Sequence, residues 1–109
     1  LERMLASLAM VERSRGAPVP HRIVPTLFDR RTRASVDALD ALHFHHRSRM
    51  TAEPIPVDTR FRTASEAGVP LSQLAPGSRG VHGYRCLLAE LLGEPAPTAP
   101  VAAEESMPA

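Results

Sequence analysis

Apolar positions along the chain change their spacing several times, and each change predicts an element. Leu1, Met4, Leu5, Leu8 and Val11 recur at steps of three and four, with Glu2, Glu12, Arg13 and Arg15 on the other faces. This predicts an amphipathic helix stopped near Gly16 and Pro18. After Pro20 the spacing is lost, and Ile23, Val24, Leu27 and Phe28 make a short apolar block within His21 to Phe28. That block predicts a buried strand.

Thr32 is placed to N-cap a second helix, with Val36, Leu39, Leu42 and His46 on one face and Asp37 near the positive end of its dipole. The pattern fades around Arg49. Pro54-Ile55-Pro56-Val57 predicts an extended segment, because proline restricts the residue before it and offers no amide donor. Arg60 to Ala67 predicts two helical turns ending at Gly68, and Val69-Pro70-Leu71 an irregular connection. Ser78 then caps a last helix whose stripe is Val81, Tyr84, Leu87, Leu88 and Leu91, running to about Leu92. Beyond Gly93 only Val101 and Met107 are larger apolar side chains, too little burial to offset chain entropy. Residues 1–92 are therefore expected to fold and residues 93–109 to form a disordered Pro/Ala-rich tail.

The order helix, strand, helix, strand, helix, helix predicts an α/β protein built on a parallel sheet. Two short strands do not stabilise such a sheet, since parallel strands are normally covered on both faces and flanked by others. Further strands are expected on the N-terminal side. With Leu1 in place of an initiating Met, the chain reads as a processed product or a piece of a longer one.

Composition narrows the chemistry. The 109 residues carry 13 basic against 12 acidic side chains, a balance unlike that of strongly basic nucleic-acid proteins or acidic tails. Every basic residue is Arg, so neither a P-loop lysine nor a Schiff base is available within this chain. A single Cys excludes an intramolecular disulfide and a Cys-based zinc site. No apolar run approaches a membrane span, and charges interrupt the N-terminal segment before a secretory signal can form.

Arginines cluster where a site is expected. The first predicted strand ends in Asp29-Arg30-Arg31-Thr32-Arg33, and Arg60 and Arg62 follow the second. Ligands in open α/β sheets bind at the carboxyl ends of strands, so these turns predict a local positive patch able to contact a phosphate backbone. His43 and His46 share a helical face, but no carboxylate or Cys completes a ligand set; histidines near a helix C-terminus, where the dipole favours cations, explain them. His82 and Cys86 stand four apart, a spacing that can pair a base with a thiol, although Tyr84, Leu87 and Leu88 beside them indicate packing. Asp29, Asp58 and Glu66 have no spacing that identifies an acid and base pair.

Three blocks, in this order, resemble the C-terminal third of ParA/MinD-type partition ATPases, nearest the Soj-like ParA branch. Val24-Pro25-Thr26-Leu27-Phe28-Asp29-Arg30-Arg31-Thr32 is similar to that family's strand ending T-M-F/Y-D-x-R-T. Ile55-Pro56-Val57-Asp58-Thr59-Arg60, continuing through Glu66-Ala67-Gly68-Val69-Pro70, resembles I-P-x-x-x-R-x-x-E-A-x-x-x-G-x-P. Ala75-Pro76-Gly77-Ser78-Arg79-Gly80-Val81-His82-Gly83-Tyr84 resembles D-P-x-S-x-G-A-x-x-Y. Thr63 and Ala75 depart from the family's usual Glu and Asp.

The resemblance implies a partial three-layer, P-loop NTPase-like α/β fold, a parallel sheet with flanking helices, of which only the C-terminal strands and helices are present. It implies that Thr26, Pro56, Val57 and Asp58 line the adenine pocket for ATP, with the magnesium site outside this chain. Arg31 and Arg60, with Arg33 and Arg62 beside them, would contact non-specific DNA. The family's partners are a ParB-like or cargo adaptor, a second copy on ATP binding, and no membrane, in a cytoplasmic, nucleoid-associated setting. Without the P-loop this chain is expected to be inactive alone. Other readings are a truncated, non-catalytic nucleic-acid- or protein-binding module, another superfamily member such as a membrane positioner or a cobyrinic-acid-synthase-like protein, and an unrelated small α/β protein.

Overall fold

The computed structural model describes residues 1–98, so most of the expected tail lies outside the described residues. Five α-helices appear: α1 (Glu2–Arg15), α2 (Arg33–His46), α3 (Arg60–Ala67), α4 (Leu71–Leu74) and α5 (Arg79–Leu92). A single 3-10 turn, Arg47–Arg49, extends α2. Local chemistry sets most of the ends. The Thr32 hydroxyl accepts the Ser35 amide at 3.3 Å and the Ser78 hydroxyl accepts the Val81 amide at 3.2 Å, each meeting one of the unpaired donors of a first turn. Gly16, Gly68 and Gly93 stop α1, α3 and α5 at φ of 70, 70 and 71°, left-handed values where a Cβ would be strained. The connection at Val69-Pro70-Leu71 is shorter than the sequence suggests. Gln73 and Leu74 both donate to the Pro70 carbonyl and wind α4.

Among the described residues the expected parallel sheet is not formed, and the α/β, P-loop-like fold class is corrected to a helical one. The two predicted strands, His21 to Phe28 and Pro54 to Val57, share one isolated parallel bridge, Phe28 with Pro56, and a second bridge joins Ile23 to Met50, ahead of the second predicted segment. At the Ile23–Met50 bridge, Ile23 donates to Arg49 and Thr51 donates to Ile23, at 2.8 and 3.0 Å. At the Phe28–Pro56 bridge, Ile55 donates to Pro25, Phe28 to Ile55 and Val57 to Phe28, at 2.8, 3.1 and 2.8 Å.

Proline breaks the ladder between them. Pro25 has no amide to donate where the ladder would continue from Ile23, and Leu27 turns out of the extended region at φ 55°. No third segment flanks the pair among the described residues, so neither bridge extends into a strand.

The core is small. Met50, Ile55, Ala64, Leu71, Val81 and Ala89 are its buried apolar members. α1 and α2 bury no residue fully, and the radius of gyration, 16.4 Å, exceeds the ~13 Å of a compact chain of about 100 residues.

α5 packs through a different face from the one its apolar stripe suggests. Gly80, Val81 and Ala89 are buried, while Tyr84, Leu88 and Leu91 stay about half exposed. The reason is closeness. A Cβ at Gly80 would run into the Phe61 ring of α3, and one at Gly83 would stand only 2.8 Å from Pro56 Cδ, so two glycines one turn apart let α5 lie directly on α3 and on the second extended segment.

Candidate functional site

The Phe28–Pro56 bridge brings the ends of both extended segments to one rim, and each end carries the same local device. Asp29 accepts the Arg31 amide at 3.0 Å and grips its guanidinium through Nε at 2.9 Å and Nη2 at 3.0 Å. Asp58 repeats this with Arg60 at 3.0, 2.9 and 3.1 Å. A carboxylate two residues before an arginine can accept both the backbone amide and the planar fork, which favours this closed turn.

The two turns differ in burial. Arg31 is 80% exposed, whereas Arg60 is 17% and Asp58 only 3% exposed in their side chains. Asp58 also accepts the Gly80 amide at 3.0 Å, so one carboxylate joins the loop, α3 and the first turn of α5. Burial pushes the Asp58 carboxyl up, but the Arg60 guanidinium and the amides of Gly80 and Arg60 outweigh it and hold it below its ordinary value. Asp29 is lowered as well, chiefly by the Arg31 side chain and amide.

Beside this rim opens a cavity of about 760 Å³. Its lining combines the apolar Phe28, Pro54, Pro56 and Val57, Gly83 and Cys86 of α5, the carboxylates Asp29 and Glu53, and the guanidiniums of Arg30, Arg31 and Arg79. Ala96 and Pro97, beyond α5, border it too. His82 and Cys86, both on the lining, approach to 3.4 Å. Burial, followed by the charge of Glu53, raises the Cys86 thiol above its ordinary value, so the pair is held in the thiol form and lacks an activated nucleophile.

The sequence-derived residues divide accordingly. Pro56 and Val57 line the cavity, while Thr26 does not and Asp58 is buried beneath it holding α5. Arg31 lies at the cavity edge; Arg33 and Arg62 are exposed on α2 and α3, away from the cavity lining. Arg60 is folded inward onto Asp58.

Sequence reasoning treated the guanidiniums of Arg31 and Arg60 as a positive patch, and each proves to be matched by its own carboxylate. The signal was visible in the spacing Asp29-Arg30-Arg31 and Asp58-Thr59-Arg60. Arg79, which joins Arg30 at the cavity, went unrecognised because it is remote in sequence from both turns.

Among the described residues no group of three or more His, Cys, Asp or Glu side chains is arranged to hold a metal, and His46 reaches Glu2 of α1 at 3.3 Å. No described helix is long and apolar enough to cross a membrane. No protein-family model matches this chain, and no curated protein matches it.

Proposed function

We propose that the chain serves as the base-pocket and DNA-facing segment of a ParA-type partition ATPase, in which ATP binding drives dimerisation and loose attachment to DNA. The observation that carries this reading is the Phe28–Pro56 pairing, which brings the T-L-F-D and I-P-V-D turns beside one apolar cavity. A nucleobase needs a flat apolar wall and a few polar groups at its edge, and Phe28, Pro54 and Pro56 form such a wall. The proposal rests on this rim and not on the architecture, since the family's sheet is absent among the described residues. No Lys is available to grip phosphates in hydrolysis, so the segment contributes binding and not the phosphoryl-transfer chemistry.

The DNA contacts fall to the exposed arginines Arg31, Arg33 and Arg62, with Arg60 holding its turn in place. Filter binding of random-sequence duplex DNA at several salt concentrations tests this. Three phosphate contacts give a slope of about −2.7 in log affinity against log salt, and each Arg→Ala change makes it shallower by about 0.9. Absent or salt-independent binding refutes the DNA role.

A second reading, a non-catalytic protein-binding module, is favoured by the exposed row Tyr84, Leu88 and Leu91 on α5, with Phe61 and Leu74 nearby in exposure. A row of this kind suits a partner helix.

A further inference from the structure

The chain returns to the cavity after α5. Gly93 ends the helix, and Ala96 and Pro97 then reach the lining. Eleven residues follow Thr98, and their charged side chains are of one sign: Glu104 and Glu105, with no Arg, Lys or His.

The lining has the opposite excess. Arg30, Arg31 and Arg79 stand against Asp29 and Glu53, three guanidiniums to two carboxylates. Arg31 commits Nε and Nη2 to Asp29, while neither Arg30 nor Arg79 has a carboxylate at ion-pair distance among the described residues. Reach is sufficient, because Glu104 and Glu105 follow Pro97 by seven and eight residues, a span of up to about 25 to 29 Å. Residues 99–109 carry too little apolar surface to build a core of their own, but Val101 gains burial from a lining that the rest of the chain has already formed. Attachment in the same chain supplies an effective concentration in the millimolar range, so contacts too weak to join separate molecules suffice here.

We propose that residues 101–105 fold back over this cavity and occupy it in cis, with Glu104 and Glu105 on the guanidiniums of Arg30 and Arg79. The segment is a strap that any ligand of the cavity must displace. The strap goes beyond the base-pocket reading and does not depend on it; under that reading it sets a threshold on nucleotide entry.

Cys86 is the reporter. It is the one cysteine of the chain, lies on the lining and is partly exposed, so a small uncharged thiol reagent reads how open the cavity is. N-ethylmaleimide labelling of the full 109-residue chain is timed at one pH with no nucleotide present. The Glu104→Gln, Glu105→Gln double variant labels about threefold faster than the parent, the scale set by losing two solvent-accessible ion pairs. Raising salt speeds the parent toward the same rate. Glu94→Gln, the same charge change just after α5 and outside the lining, leaves the rate unchanged. The Arg30→Met, Arg79→Met double variant also labels faster, and adding the two glutamines to it brings no further gain. Both arginines are exposed, so circular dichroism of these variants matches the parent.

Parent-like labelling in the glutamine double variant overturns the strap, as does an equal acceleration in Glu94→Gln. A gain from the glutamines that persists in the arginine double variant overturns the assignment to Arg30 and Arg79. Protection that disappears on dilution gives the segment to a second copy and overturns the contact in cis. Because no nucleotide is present, each of these outcomes leaves the base-pocket reading where it stood.

Discussion

Asp58→Asn is the most informative single change to the folded state. The side chain keeps its shape and one acceptor, but the second oxygen becomes an NH2 facing donors. Four hydrogen bonds converge on the native carboxylate: the amide, Nε and Nη2 of Arg60, and the Gly80 amide. The substitution therefore sets donor against donor at both Gly80 and Nη2, or, with the amide turned over, at the Arg60 amide and Nε, and leaves a guanidinium that is only 17% exposed without its counter-charge.

Breaking a buried charged pair from one side costs about 3–5 kcal/mol. Arg60 retains some access to water, so about 2–3 kcal/mol is expected here. A chain of this size has roughly 5–15 kcal/mol in all, and the small core puts it toward the lower end. Urea unfolding followed by far-ultraviolet circular dichroism measures the loss. In Arg60→Met the cost of an unpaired carboxylate appears instead, and the double variant loses less than the two single losses added together. Asp29→Asn is the control, since Asp29 makes the same contacts with Arg31, a guanidinium 80% exposed, and its loss costs clearly less than that of Asp58. A loss below about 0.5 kcal/mol in Asp58→Asn, or strict additivity with Arg60→Met, would refute the claim that this carboxylate joins the loop to α3 and α5.

Two further outcomes follow from the same packing. Asp29, Asp58 and Glu90 are all held below their ordinary values, Glu90 by the Ala52 amide and then by Arg22. The unfolded chain thus takes up protons first in acid. Stability is complete above the ordinary carboxylate values of 3.8 and 4.5 and is lost as pH falls through the lower folded ones. Cys86 acts at the opposite end, because its raised value makes stability fall as pH climbs past 9.0. Urea midpoints across pH check both limbs: stability that rises on acidification contradicts the first, and an alkaline limb that survives Cys86→Ala contradicts the second. Gly83→Ala pits a helix-propensity gain of up to about 1 kcal/mol against a Cβ placed 2.8 Å from the rigid Pro56 ring. Thermal melts should record a net loss of about 1 kcal/mol, and a more stable variant would mean that α5 does not lie as close to the rim as described.

Helix boundaries were legible in the sequence wherever a near neighbour satisfies the backbone. Thr32 and Ser78 start α2 and α5, and Gly16, Gly68 and Gly93 end α1, α3 and α5, all through contacts within one turn. The extended segments were legible as a parallel pair, but their failure to become strands was not. That depends on which residues face each other: Pro25 falls where a ladder donor is needed, and Leu27 leaves the extended region. The exposed row on α5 was misread for a related reason. Period alone marks Tyr84, Leu88 and Leu91 as inward, whereas the helix approaches through Gly80 and Gly83, which periodicity of large side chains does not register.

The sequence by itself therefore determined α1, α2, α3 and α5, their caps and stops, and the two Asp-x-Arg turns, because each depends on groups at most four residues apart, while α4 falls where an irregular connection is expected. Tertiary structure alone decided that Phe28 meets Pro56, that Asp58 reaches across to Gly80, and that Arg79 joins Arg30 beside one cavity. Those partners are separated by twenty to fifty residues, and only the path of the chain in space determines how close they come.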